Sequence, residues 1–114
     1  MKRDPLLFLE DILASIVLIE KYTKNLDLSQ LEKKIEKQDS LIRRIEIIGE
    51  AAKNLPPDFK NRHSDVPWKD IAGMRDIIVH AYFGINLDTV WKVVKNDLPK
   101  LKRQIQHILK QETK

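Results

Sequence analysis

Leu41-Ile42-Arg43-Arg44-Ile45-Glu46-Ile47-Ile48-Gly49-Glu50-Ala51-Ala52-Lys53-Asn54-Leu55 runs without interruption into Pro56-Pro57. Its apolar residues return at steps of three and four, which is the spacing of one helix face and not the alternation of a strand. Upstream, Leu31, Ile35 and Gln38 extend the same rhythm. This predicts one helix from Leu31 to Leu55, or two with a break near Gln38-Asp39-Ser40. Ser29-Gln30-Leu31-Glu32 has the form of a capping box that would open it. Gly49, Ala51 and Ala52 are small, so a second helix is expected to approach closely there. Pro56-Pro57 ends the element.

Working outward, Asp4-Pro5 is a helix start, with Asp as N-cap and Pro in the first turn. Leu6, Leu9, Leu13 and Ile16 follow at helical spacing, and Leu7, Ile12, Val17 and Ile19 widen the stripe to more than half the circumference. Such a helix is either central or buries a second face against another chain. Residues 58–66 are polar and read as loop, with a short turn at Asp58–Arg62. Pro67 then opens a third helix from Trp68 to about Phe83, and Gly84 stands where a stop belongs. Asp88 can cap a fourth helix carrying Val90, Trp91, Val94, Leu98, Leu101, Ile105 and Ile108. Pro99 inside that pattern calls for a kink or restart at Asn96-Asp97. The expectation is an all-α, antiparallel bundle of four to five helices.

The 114 residues form one expected domain, 1–114. At this size a monomer is modestly stable and dimerisation helps. Apolar residues at 42% exclude a disordered chain. The absence of Cys removes disulfides, a thiol nucleophile and Cys-ligated metal centres. His63, His80 and His107 show no ligand spacing, so no metal site is expected. Unbroken apolar runs stop at four residues, too short for a membrane span. Asp4, Glu10 and Asp11 interrupt any signal-like stretch, so a soluble cytoplasmic protein is expected. A net charge of +4 leans toward a polyanionic partner.

Chemistry concentrates in Met74-Arg75-Asp76-Ile77-Ile78-Val79-His80-Ala81-Tyr82. Arg is a fixed cation suited to phosphate, and His can serve as acid or base near neutrality. On an ideal helix Arg75 and His80 stand roughly 140° apart. Arg75, Ile78 and Tyr82 would share a face with Ile71. Either Arg75 and Tyr82 are buried polar groups needing partners, or that face meets another subunit. Asp76 lies one turn before His80, where its carboxylate can orient the imidazole; an ordinary surface pair is the alternative.

The block from Pro67 through Gly84-Ile85, with Arg43–Lys53, Leu87–Trp91 and Asn96–Pro99, resembles the HepT-like branch of the HEPN superfamily across the whole chain. Its pattern R-x(4)-H-x-Y is met by Arg75, His80 and Tyr82. The resemblance implies a helical bundle that homodimerises around the motif helix. It implies a metal-independent ribonuclease, needing no cofactor, that acts as the toxin of a toxin–antitoxin pair. The cognate antitoxin would be a nucleotidyltransferase of the MNT type that moves AMP from ATP onto the motif tyrosine. Carried over, Arg75 and His80 become catalytic and Tyr82 the AMP acceptor; Asp76 is supporting on its spacing from His80 alone. The alternative is a non-catalytic, nucleotide- or partner-binding helical subunit of a nucleotidyltransferase complex.

Other polar residues read as ordinary surface or core. His63 is expected in a solvated loop and His107 on the surface. Arg43-Arg44, with Glu46 and Glu50 following, suggest an ion-paired helix face, with RNA-backbone contact as the alternative. Trp68 and Trp91 fall at core positions. Lys100, Lys102, Arg103, Lys110 and Lys114 form a solvated face that could add non-specific affinity for RNA.

Overall fold

The computed structural model describes residues 3–76 and 87–113. Helix α1 spans Pro5–Thr23; the Asp4 side chain accepts from the Leu6 amide at 3.0 Å, the cap that Asp-Pro announces. Leu9, Ile12, Ile16 and Ile19 form its buried stripe. The extra width expected of that stripe resolves into half-buried Leu6, Phe8 and Leu13, while Leu7 and Val17 stay 42% and 47% exposed.

The next segment departs from expectation in register. A short helix α2, Leu28–Glu32, precedes the long helix α3, Ile35–Asn54, and the break falls at Lys33-Lys34, five residues before Gln38 to Ser40. The capping box is formed by Asp27 and Gln30, not by Ser29 and Glu32. Asp27 accepts from the Gln30 amide at 2.8 Å, and the Gln30 side chain accepts from the Asp27 amide at 2.9 Å. A carboxylate outcompetes a serine hydroxyl two residues on, because it meets the helix dipole with charge. Gln38 bridges the break: its Nε2 donates to the carbonyls of Leu31 at 2.9 Å and Glu32 at 3.1 Å at the C-terminal end of α2. Ile35, expected in the apolar rhythm, is 70% exposed at the first position of α3.

Beyond the break α3 behaves as its pattern predicts. Leu41, Ile45, Ile48 and Ala52 are fully buried, and α1 packs along this helix. Pro57 does not leave a loop behind it. It opens a short helix α4, Pro57–Arg62, which buries Phe59. Pro67 is the residue before α5, Trp68–Ala72, and not its first residue. Trp68 is buried and its indole N–H donates to the His63 carbonyl at 3.0 Å.

The third helix is not continuous from Trp68. Gly73 ends α5, and helical backbone resumes at 74–76. The Asp76 amide donates to the Gly73 carbonyl at 3.0 Å, three residues back, so this turn is wound tighter than α-helix. The expected continuation to Phe83 and the stop at Gly84 lie outside the described residues.

Helix α6, Leu87–Lys92, contains Asp88 in its first turn, so Asp88 lies inside the helix and does not cap it. A π-helical turn, Val93–Asp97, then leads into α7, Leu98–Glu112. The Leu98 amide reaches the Val93 carbonyl five residues back. This is the restart expected from Pro99, which has no N–H to continue an α-helical ladder. Leu98, Leu101, Ile105 and Ile108 seal the core against α1. Among the described residues all regular structure is helical, and no helix is long and apolar enough to cross a membrane.

Candidate functional site

Gly49 of α3 lies where α5 and the residues after it cross. A Cβ added at Gly49 would stand 3.0 Å from Cγ of Arg75 and 3.4 Å from the carbonyl oxygens of Ile71 and Ala72. The small residues of α3 therefore do what their sizes suggest, letting a second backbone approach.

That approach brings Arg75 beside the next residue of α3. Its Nη1 lies 2.8 Å from Oε2 of Glu50, and the two side chains are 46% and 49% exposed. Asn54, one turn further, donates to Oε1 of Glu50 at 3.4 Å. A small cavity of about 180 Å³ adjoins the pair, lined by Arg3, Phe8, Asp11, Ile47, Glu50, Ala51 and Asn54.

Of the two expectations for Arg75, burial within its own chain is the one that fails. On an ideal helix Arg75 follows Ile71 onto the core face. The tight turn at Gly73 shifts the phase, so Met74 takes the buried position and Arg75 turns outward. Asp76 is also exposed. His80 and Tyr82 lie outside the described residues, as does Ile78, and with them the expected Arg75–His80 separation and Asp76–His80 pair.

The remaining candidates sort by contact. His63 is not a solvated loop residue: its side chain is only 13% exposed, packs against Phe59 with the rings tilted by 47°, and lies 2.9 Å from Glu112 through Nε2. It ties the end of α4 to the end of α7, with Arg62 at 3.5 Å from the same carboxylate. His107 is exposed. Arg43 pairs with Glu46 at 3.0 Å as the spacing suggests, but Glu50 turns to Arg75 instead. Lys102 reaches back to Glu20 of α1 at 2.9 Å, while Lys100, Arg103 and Lys110 remain exposed. Trp91 is half-buried beneath Lys95. Among the described residues no three His, Asp or Glu side chains converge as metal ligands would.

Sequence reasoning missed Glu50 and Asn54 as neighbours of Arg75. The signal was present: Glu50 follows the glycine that marks the helix crossing.

Among the described residues the domain is helical and presents an arginine braced by Glu50, a fixed cation of the kind that pairs with anions, and comparison with known proteins narrows the class. The family described as Ribonuclease HepT-like matches residues 12–108, a span that includes Arg75, His80 and Tyr82. The chain belongs to this HepT-like ribonuclease family.

Among its relatives is a Methanocaldococcus jannaschii protein named "Gamma-glutamylcyclotransferase and putative RNase", 48% identical over 111 residues. The alignment covers 97% of the chain but 50% of that relative, so the chain spans half its length. A Thermococcus cleftensis protein named "Probable ribonuclease HepT" is 44% identical over 110 residues, covering 96% of the chain and 100% of the relative. A protein of Caldanaerobacter subterraneus subsp. tengcongensis named as a "Putative RNase" is 39% identical, covering 96% and 98%. No solved structure matches the chain.

Proposed function

We propose that the protein is a metal-independent endoribonuclease that serves as the toxin of a toxin–antitoxin pair. The observation that carries this reading is Arg75: it is solvent-accessible and held by Glu50, within the span that matches the ribonuclease family. In RNA the 2′-hydroxyl is the nucleophile. Its oxygen attacks the adjacent phosphorus, the bond to the 5′-oxygen breaks, the 2′ proton passes to a base, and the leaving oxygen takes a proton from an acid. The products are a 2′,3′-cyclic phosphate and a 5′-hydroxyl.

His80 is the acid–base group and Arg75 offsets the charge that builds on the phosphoryl oxygens. One imidazole cannot be base and acid in the same step, and a two-fold dimer places two copies of each residue in one cleft. Asp76 orients His80 from one turn away. No resident cofactor takes part; ATP is used by the partner alone.

The partner is a nucleotidyltransferase antitoxin of the MNT type. The Tyr82 oxygen attacks the α-phosphorus of ATP, pyrophosphate leaves, and AMP remains on the phenol. The adduct adds negative charge and bulk where RNA phosphate would bind, so activity is lost without unfolding. The test is growth of cells expressing the protein alone or with that antitoxin, followed by mass spectrometry of the recovered chain. Growth arrest relieved by the antitoxin, with AMP on Tyr82, supports the reading. AMP on Tyr22, or equal relief of a Tyr82→Phe variant through modification, contradicts the assignment.

A further inference from the structure

The exposed ion pair between α3 and Arg75 is poorly explained as a stabilising contact. Exposed pairs contribute little to folding, because water already screens both charges and two long side chains must be held still. Yet three features converge on this one. Gly49 lets the Arg75 stem lie against α3. Glu50 meets the guanidinium through one oxygen at 2.8 Å. Asn54 holds the other oxygen at 3.4 Å, which limits rotation of the carboxylate.

We propose that Glu50 is a positioning residue for Arg75: it fixes the guanidinium fork so that the donors it does not occupy face the RNA phosphate. The proposal rests on the ribonuclease reading above and deepens it. A guanidinium carries five N–H donors in one plane. Fixing one Nη by a carboxylate orients the whole plane, leaving Nε and the second Nη for a phosphoryl oxygen. The carboxylate also repels the incoming phosphate, so it should oppose ground-state binding while improving alignment in the transition state. Its removal therefore has a signature that simple loss of structure lacks: kcat falls while KM stays level or falls.

The experiment measures cleavage of a short fluorescent RNA by wild type, Glu50→Gln, Arg75→Ala and the double variant, with melting temperatures for each. Glu50→Gln keeps the side-chain volume at an exposed position, so its melting temperature should stay within about 3 °C of wild type. Its kcat should fall roughly 10- to 100-fold with KM unchanged or lower, the scale of a misplaced reacting group. On the Arg75→Ala background the same substitution should change kcat by less than about twofold, because Glu50 acts through Arg75. Wild-type kinetics in Glu50→Gln overturn the proposal and leave the ribonuclease reading standing. An equal loss on both backgrounds also overturns it, since Glu50 would then act elsewhere. Inert wild-type protein defeats the ribonuclease reading itself, and the proposal with it.

Discussion

Gly49 joins the fold to the site, so substituting it tests both. In Gly49→Ala the new Cβ meets Arg75 Cγ at 3.0 Å and the Ile71 and Ala72 carbonyl oxygens at 3.4 Å. The carbonyl contacts are ordinary; the contact with Cγ requires the Arg75 stem to give by a few tenths of an ångström. Alanine is favoured over glycine in a helix interior by about 0.5–1 kcal/mol. Overpacking costs about 1–3 kcal/mol, and the tight atom here is in the Arg75 stem, whose far end Glu50 holds. The net for Gly49→Ala is a loss of about 0–2.5 kcal/mol. Gly49→Leu drives three further carbons into the same crossing and should lose about 2–3 kcal/mol. Urea unfolding at fixed protein concentration reads the difference. With a slope of about 1–3 kcal/mol per molar, the leucine variant's midpoint should drop by about 0.7–3 M. A leucine variant within about 0.5 kcal/mol of wild type would refute the close crossing of α3 and α5.

Two further predictions concern stability. Asp27→Ala should lose about 1 kcal/mol through its cap, whereas Ser29→Ala should stay within about 0.5 kcal/mol, as chemical denaturation of the pair will show; the reverse order would restore the Ser29–Glu32 box. Ile45→Ala, at a fully buried position of α3, should lose about 2–5 kcal/mol in the same assay, and a loss below about 1 kcal/mol would contradict its place in the core.

Helix faces were legible because burial follows a period that sequence displays directly. Ile45, Ile48 and Ala52, and equally Leu98, Leu101 and Ile105, are buried where the spacing places them. Boundaries were less legible because several side chains compete for each helix end. Ser29 and Asp27 both offer caps to α2, and the charged carboxylate takes the place. Gln38 reads as a breaker in sequence, yet it sutures a break that lies five residues earlier.

The same competition obscured the site. A regular helix would have buried Arg75 with Ile71, but one tight turn at Gly73 rotates Arg75 into solvent. His63 read as a solvated residue because its partner, Glu112, lies 49 positions away in sequence. Glu50 was assigned to Arg43-Arg44 because pairs within a helix are visible in sequence, while pairs between helices need the fold.

If Arg75 and His80 cleave RNA through its own 2′-hydroxyl, the reaction needs no metal and leaves defined ends. The direct measurement incubates purified protein with RNA in excess EDTA and identifies product ends by mass spectrometry, for wild type, His80→Ala and Arg75→Ala. Wild type should give 2′,3′-cyclic phosphate and 5′-hydroxyl ends, and each variant a rate lower by about 10²–10⁴ with folding intact. Cleavage that EDTA abolishes, 5′-phosphate ends, or undiminished cleavage by a folded His80→Ala would contradict it.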